Sequence, residues 1–270
     1  MVFESLLREF TRRLKSPIPI IGASIVIFYI IIALLASVLA PPGHPSQGGD
    51  EYRMPREGFS EIPTPPSTRH PFGTTKGQYD IFYGCIWGAR YAFRVGLPVV
   101  FGAFAIGFVI GAVAGVLGGI IDELVMRFTD IFHYLPGFLF AMAMVIVLYP
   151  TYPTISRMDV MVLALVLVGG LSYARIVRGG IFKIMHEDYA KATEAVGYSN
   201  PRMIDLIFPV LIMPFLDIGP MILTTATLSF LGLGPPLGYA EWGQLLASSR
   251  SFIYGQPNDP FKYWYTYVIP

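Results

Sequence analysis

The sequence is poor in charged residues and has almost no cysteine. Only 14% of its 270 residues are charged, whereas 54% are hydrophobic; soluble domains carry about one quarter charged residues. A deficit of charge over the whole length indicates an integral membrane protein. The single cysteine, Cys85, excludes an internal disulfide. The net charge of +1 gives no indication of a nucleic-acid partner, and we expect none.

Motifs for nucleotide binding, catalysis and metal binding are also missing from the sequence. There is no G-x-x-x-x-G-K-[ST] phosphate loop, so any nucleotide must be bound by another chain. The H-E-x-x-H and G-x-S-x-G patterns and paired Cys/His spacings do not occur. The four histidines are scattered over loops, and we expect each to be solvated or interfacial. We therefore expect no catalytic, cofactor-binding or metal-binding residue on this chain.

Long apolar stretches are what the sequence has instead. A transmembrane helix needs about 20 apolar residues, and residues 18–40 form such a stretch without any charge, after four basic residues. A signal peptide also begins in this way, but this stretch is too long for a typical one, and we expect an uncleaved anchor. Four further stretches are predicted to span the membrane: 95–117, 131–148 with Pro136, 160–177, and 207–231 with three prolines.

The basic residues predict the orientation of these spans. The basic N-terminal segment is expected in the cytoplasm. Alternation then places 41–90 outside, 118–134 inside, 149–159 outside and 175–206 inside. The segment 175–206 contains five Arg or Lys residues, which agrees with an inside location. The predicted fold class is therefore an all-α polytopic transmembrane helical bundle with five visible spans. The aromatic run before Pro270 resembles the approach to a membrane interface, and we expect a sixth span beyond it.

The segment between the first two spans has two parts. Its beginning, 41–71, is dense in proline and is predicted to be an irregular external loop. The stretch 79–94 mixes aromatic residues with Arg90 and Arg94. It fits either an amphipathic helix along the interface or a helical lead-in to the second span.

Four glycines and one acidic residue are candidates for special roles inside the spans. Glycines spaced by four lie on one helix face and let another helix approach closely; these helix-packing candidates are Gly107, Gly111, Gly115 and Gly119. Asp217 is an ionisable residue within an apolar stretch, which is a functional hypothesis by default. It either contacts substrate in the pathway, or caps a half-helix or faces a water-filled cavity.

A polar segment, HEDYAKATEAVGYSNPRMID, lies between the last two spans at 186–205. Acidic residues at the start of a short helix 188–196 suit the helix dipole, and Gly197 suits a left-handed C-cap. Small and apolar residues at i, i+3, i+4 and i+7 share one face. The helix either docks on a partner or is an ordinary loop helix that contacts nothing. The residues of this face are Tyr189, Ala192, Thr193 and Val196.

Two stretches resemble a known family. LSFLGLG followed by Pro-Pro and EWGQLL, and HPFGTTKGQYDIFYGCIWGARYAFRVGL, are similar to motifs of the C-type permease subunit of oligopeptide/dipeptide/nickel ABC importers. The first is that family's external signature. Its residues here are Ser229, Phe230, Leu231, Gly232, Leu233, Gly234, Trp242 and Gly243.

The resemblance makes the polar segment a cytoplasmic coupling loop, 178–209, that docks on an ATPase. Gly197 matches the family's glycine, while Lys191 stands where the family has glutamate and Thr193 where it has a second alanine. Thr225, a further pathway candidate, replaces a frequent acidic residue before the external signature. The coupling candidates are Tyr189, Lys191, Ala192, Thr193, Val196 and Gly197.

The resemblance also implies an architecture and partners. The chain divides into a cytoplasmic N-terminus (1–17), a first transmembrane helix (18–40), an external part (41–94), a permease core (95–231) and a second external part (232–270). In the bilayer it would pair with a homologous permease, two ABC ATPases that bind ATP and Mg, and an extracytoplasmic substrate-binding protein. It would import peptides by alternating access and not be an enzyme itself. Oligosaccharides and nickel chelates are alternative substrates, and a stand-alone secondary transporter or channel is a less favoured class.

Overall fold

The computed structural model describes residues 17–134, 136–152, 154–185, 203–254, 259 and 261–270. Over these residues the chain is built from α-helices, with three isolated β-bridges and no strand. The long helices are α1 (Pro17–Leu39), α2 (Ile81–Leu117), α3 (Gly119–His133), α4 (Gly137–Thr151), α5 (Arg157–Met185) and α6 (Met203–Phe230). Three short helices follow: α7 (Trp242–Ser248), α8 (Arg250–Ile253) and α9 (Tyr265–Val268).

Helix α1 is apolar on all sides. It begins at Pro17, a residue suited to the first helical position because its missing N–H has no partner there in any case. Only Ala33 and Ala36 are buried within it, while large side chains such as Ile18 and Leu34 are exposed. A helix that is apolar all round is covered either by other protein or by lipid.

Helix α2 joins the aromatic stretch 79–94 to the second apolar stretch in one helix of 37 residues. The structure therefore has the lead-in alternative and not a separate interfacial helix. The carboxylate of Asp80 accepts a hydrogen bond from the Tyr83 N–H at 2.9 Å, which caps the beginning of the helix. Pro98 lies inside the helix, where it removes one backbone donor without ending it.

The third predicted span differs from the observed elements. The region near 131–148 is not one straight helix: α3 and α4 are separate and meet at an angle of 78°. Pro136 lies at the break and has no N–H to continue the hydrogen bonds of α3. Most of the stretch between the predicted second and third spans is helical, since α3 covers Gly119–His133.

In the part of the chain that the structure describes, four helices or helix segments are long and apolar enough to cross a membrane: Pro17–Leu39, Ile81–Leu117, Arg157–Lys183 and Val210–Phe230. The bent pair of α3 and α4 makes a fifth if it is one span. The prediction of an all-α, polytopic transmembrane protein is confirmed.

The chain divides into two compact units. One comprises residues 1–92 and 238–270, and the other residues 93–237. In the first unit, the buried amide of Gln47 holds the proline-rich loop together: its Oε1 accepts from the N–H groups of Gly43 and His44, and its Nε2 donates to the Arg53 carbonyl and the Tyr83 hydroxyl. The predicted irregular loop is thus an ordered structure without regular helix or strand over most of its length.

Histidines in this loop have local partners. The Nδ1 of His70 lies 2.6 Å from Oδ2 of Asp80, and both side chains are mostly buried. His44 caps the short 3₁₀ helix Pro45–Gln47 by accepting from the Ser46 N–H. These contacts explain the two histidines as parts of the loop fold.

Candidate functional site

A seam of glycines joins α2 to α5 in the second unit. A Cβ atom on Gly107, Gly111 or Gly115 would collide with atoms of α5, including backbone atoms at the first two positions. The three glycines therefore let the helices approach to backbone contact. Gly119 does not belong to this seam, and the prediction for it is wrong. The chain leaves α2 at Gly118 and both glycines have positive φ, 61° and 53°, so Gly119 no longer lies on the same helix face.

Two arginines of α5 bind two aspartates of α3. The guanidinium of Arg178 donates from Nε to Oδ1 of Asp122 at 2.8 Å and from Nη2 to the other carboxylate oxygen. One turn earlier, Nη2 of Arg175 donates to Asp130. A bidentate pair fixes both position and angle. The ion pairs therefore attach α3, on one side of the break at Pro136, to α5.

The sequence alone did not reveal these two ion pairs. Asp122 and Asp130 are eight residues apart on α3, and Arg175 and Arg178 are three apart on α5, so each pair occupies one helix face. That spacing was the available signal. It could not reveal which residues pair, because the partners are 45 and 56 residues apart in the sequence.

Asp217 contacts a buried tyrosine. The hydroxyl of Tyr173, on α5, donates to Oδ2 of Asp217, on α6, at 2.5 Å. Tyr173 is 3% exposed, whereas Asp217 is partly exposed and faces a cavity of about 320 Å³ between α4, α5 and α6. Of the three alternatives for Asp217, the cap of a half-helix does not apply, because α6 is continuous from Met203 to Phe230. The carboxylate lines the cavity, and its contact with substrate stays a prediction.

Thr225, the other pathway candidate, lies apart from this cavity. Its side chain is 5% exposed, and its hydroxyl donates to the Ile222 carbonyl at 2.8 Å. It is not among the residues that line the cavity beside Asp217. The structure therefore does not bring the two candidates together.

The external signature begins with a turn that ends α6. The N–H of Gly232 donates to the Ser229 carbonyl, and the N–H of Leu233 to the Leu228 carbonyl. These two bonds form a Schellman motif, and it requires the φ of +89° that Gly232 adopts. Nη1 of Arg157, at the beginning of α5, donates to the Gly232 carbonyl at 3.1 Å. The turn thus fixes the ends of two helices to each other.

Trp242 and Gly243 lie in the first unit, at the beginning of α7. The indole Nε1 of Trp242 lies 3.3 Å from the Cys85 carbonyl oxygen, and its ring meets Tyr29 edge-on at 5.7 Å. A Cβ on Gly88 would lie 2.6 Å from that nitrogen, so Gly88 provides the space for the ring. These contacts join α7 to α1 and α2.

A hydrogen bond between Tyr239 and Asp50 connects the second external part to the proline-rich loop. The Tyr239 hydroxyl donates to Oδ2 of Asp50 at 2.5 Å, and this bond raises the pKa of Tyr239. The N–H of Met54 also donates to the Gly238 carbonyl at 2.7 Å. The segments 41–92 and 238–270 therefore belong to one folded body, the first unit.

The coupling candidates lie outside the described residues. Helix α5 ends at Met185 and α6 begins at Met203. Tyr189, Lys191, Ala192, Thr193, Val196 and Gly197 fall between them, and their assignment stays a prediction.

Comparison with known proteins identifies the family. Residues 107–268 match the family described as binding-protein-dependent transport system inner membrane component. The chain belongs to this family. It is a permease subunit of a transport system, and its helices make it a multi-pass membrane protein. The predicted resemblance to the C-type permeases of ABC importers is confirmed.

Alignments with individual relatives extend over most of this chain and most of each relative. The dipeptide transport system permease protein DppC of Alkalihalophilus pseudofirmus is 32% identical over 93% of this chain and 79% of its own length. The oligopeptide transport system permease protein OppC of Bacillus subtilis is 28% identical over 89% and 76%. The glutathione transport system permease protein GsiD of Escherichia coli is 30% identical over 90% and 78%.

Proposed function

We propose that this permease forms half of the translocation pathway of an ATP-driven importer of peptides. The observation that carries the proposal is the family match together with relatives named for dipeptide, oligopeptide and glutathione transport. Those names favour peptides over the alternative oligosaccharides and nickel chelates. Membership of the family also argues against a stand-alone secondary transporter or channel.

The partners follow from the same proposal. A homologous permease supplies the second half of the pathway in the bilayer, two ABC ATPases bind ATP and Mg on the cytoplasmic side, and a substrate-binding protein delivers peptide from outside. Hydrolysis of ATP takes place on the ATPases, and this chain itself needs no cofactor. Nucleotide drives alternating access by binding one conformation of the complex more tightly than the other.

The orientation supports a coupling role for the polar segment. With the N-terminus in the cytoplasm and the bent pair α3–α4 counted as one span, the segment between α5 and α6 emerges in the cytoplasm. There it is available to the ATPases. Its proposed face, Tyr189, Ala192, Thr193 and Val196, enters a groove of the ATPase, and Lys191 lies at the edge of that contact.

Uptake by the complete importer tests the function. The permease is purified with its partner subunits, reconstituted in proteoliposomes with the binding protein, and supplied with labelled peptides, a labelled oligosaccharide or a nickel chelate. We expect ATP-dependent accumulation of peptide alone. Accumulation of only the sugar or the chelate would refute the peptide assignment, and accumulation without ATP would refute the ABC mechanism.

Cysteine labelling tests the orientation. In a Cys85→Ser background, Thr68→Cys in the external loop and Ser199→Cys in the polar segment are treated with a membrane-impermeant maleimide. We expect Thr68→Cys to react in intact cells and Ser199→Cys only after permeabilisation. The reverse pattern would place the N-terminus outside.

A further inference from the structure

The cavity beside Asp217 contains one acidic group and no basic group. None of the described residues that line its 320 Å³ is a lysine, arginine or histidine. Asp217 is also the sole ionisable residue in the apolar part of α6, from Val210 to Phe230. A charged side chain within a membrane span is costly, and it is normally paired or faces a pathway.

The described partner of Asp217 leaves its charge uncompensated. Tyr173 gives one neutral hydrogen bond to Oδ2. Among the residues that the structure describes, no cationic group forms an ion pair with this carboxylate. Asp217 therefore combines an anionic charge with a cavity large enough for part of a ligand.

The other polar groups of the cavity are hydrogen-bond acceptors. The Thr224 hydroxyl donates to the Pro220 carbonyl at 2.9 Å, and the Ser172 hydroxyl lies 3.5 Å from the Val168 carbonyl. Both hydroxyl oxygens can accept a further hydrogen bond.

Aromatic rings complete the lining. Phe138 of α4 and Tyr173 of α5 both line the cavity, and aromatic faces attract cations. A primary ammonium has three N–H donors and no acceptor. Carboxylate, hydroxyl lone pairs and aromatic rings together match an ammonium, whereas they would repel a carboxylate.

We propose that this cavity binds the N-terminal ammonium group of the peptide during its passage across the membrane. Asp217 supplies the charge, and Tyr173 positions the carboxylate by holding Oδ2. The inference rests on the proposed function, since it names the part of the peptide that this permease contacts.

Uptake of tri-alanine by the complete reconstituted importer tests the proposal. Asp217→Asn keeps the size of the side chain and an acceptor for Tyr173, but it removes the charge. We expect it to lower the uptake of tri-alanine per ATP hydrolysed by about tenfold or more, as for the loss of a hydrogen bond between charged groups. We expect Asp217→Glu to restore most of the uptake. Thr227→Val, on α6 but outside the cavity lining, is the matched control and should transport as the wild type does.

A blocked peptide separates recognition from a structural role. The binding protein is the same in all assays, so any change in the uptake ratio of tri-alanine to N-acetyl tri-alanine arises in the membrane chain. We expect Asp217→Asn to reduce this ratio and to leave the unfolding midpoint of the complex unchanged. An unchanged ratio overturns the proposal. So does an equal fall in uptake and midpoint for Asp217→Asn and Tyr173→Phe, because the pair would then only tie α5 to α6.

Different results would refute the proposed peptide import and the proposed ammonium site. If the wild-type importer takes up no peptide of any kind, the proposed function is wrong. If it takes up tri-alanine and Asp217→Asn does so equally well, only the ammonium site is wrong.

Discussion

Arg178 holds Asp122 through two parallel hydrogen bonds, from Nε to Oδ1 at 2.8 Å and from Nη2 to Oδ2. The two side chains are 31% and 16% exposed, so water screens this pair only in part. The ring of Phe182 lies 5.0 Å from the same guanidinium, which adds a cation–π contact. The pair joins α3 to the helix that leads into the polar segment.

We predict that Asp122→Asn destabilises the permease. It removes the charge of a bidentate pair and leaves Arg178 without an anionic partner, at a cost of about 1.5–3 kcal/mol. The unfolding midpoint of the purified complex in detergent measures the effect. The double reversal Asp122→Arg with Arg178→Asp should recover part of the loss.

The same helix offers a matched control for this prediction. Glu123 and Arg127 form an ion pair on α3 with side chains 60% and 73% exposed. Glu123→Gln should cost less than about 0.5 kcal/mol, since exposed pairs contribute little. Equal losses of stability for Asp122→Asn and Glu123→Gln would show that the bidentate pair stabilises the protein no more than the exposed pair does.

The glycine seam gives a second prediction. In Gly111→Ala, the new Cβ would lie 2.9 Å from Cβ of Val177 and 3.0 Å from the backbone nitrogen of Arg178. Backbone atoms cannot move aside, so α2 and α5 must separate, at a cost of about 1–3 kcal/mol. We expect a lower unfolding midpoint and less assembled complex.

Gly179, on α5, is the control for the seam. A Cβ there would have no neighbour within 4 Å. Gly179→Ala should be neutral or stabilising by up to about 1 kcal/mol, because alanine is the better helix former. A destabilisation as large as that of Gly111→Ala would contradict the packing argument.

The third prediction concerns Trp242. Gly88→Ala would place a Cβ 2.7 Å from Cδ1 of the indole and displace the ring from its position beside α2. Hydroxyl-radical footprinting with mass spectrometry should then find more oxidation at Trp242. Gly22→Ala, with no atom within 4 Å of the new Cβ, should leave the oxidation unchanged. Equal protection of Trp242 in Gly88→Ala and wild type would disprove the contact.

The fourth prediction addresses coupling. A bulky or charged side chain at Gly197 or Ala192 should keep the segment from its ATPase groove, so ATP is hydrolysed without uptake. We expect Gly197→Asp to reduce uptake in vesicles while hydrolysis continues, and Gly197→Ala to have a smaller effect. Normal ATP-driven uptake by Gly197→Asp would refute the docking assignment.

The sequence predicted the spans well because the length of an apolar stretch is a local property. Residues 18–40 and 207–231 needed no tertiary information to be recognised as membrane segments. The bend in the third span was not predicted, because periodicity does not show how sharply a chain bends. Pro136 was visible in the sequence, but the bend of 78° and the helix before it were not.

Some functional candidates could be recognised from the sequence alone, and others could not. Asp217 was found because an acidic residue in an apolar stretch is conspicuous. Its partner Tyr173 was missed because a tyrosine in a span is unremarkable until a carboxylate lies 2.5 Å from it. The spacing of four correctly predicted that Gly107, Gly111 and Gly115 share one packing face. The prediction was wrong for Gly119, because α2 ends at Leu117.

The sequence by itself determined that this is a helical membrane protein and which family it belongs to. The length of an apolar stretch and a short motif each depend only on residues that are close together in the chain. The tertiary structure decided which groups meet. The pairing of Arg178 with Asp122, 56 residues away, depends on how α3 and α5 pack and not on either local pattern. The same holds for the cavity at Asp217, which forms only because α4, α5 and α6 converge beside that carboxylate.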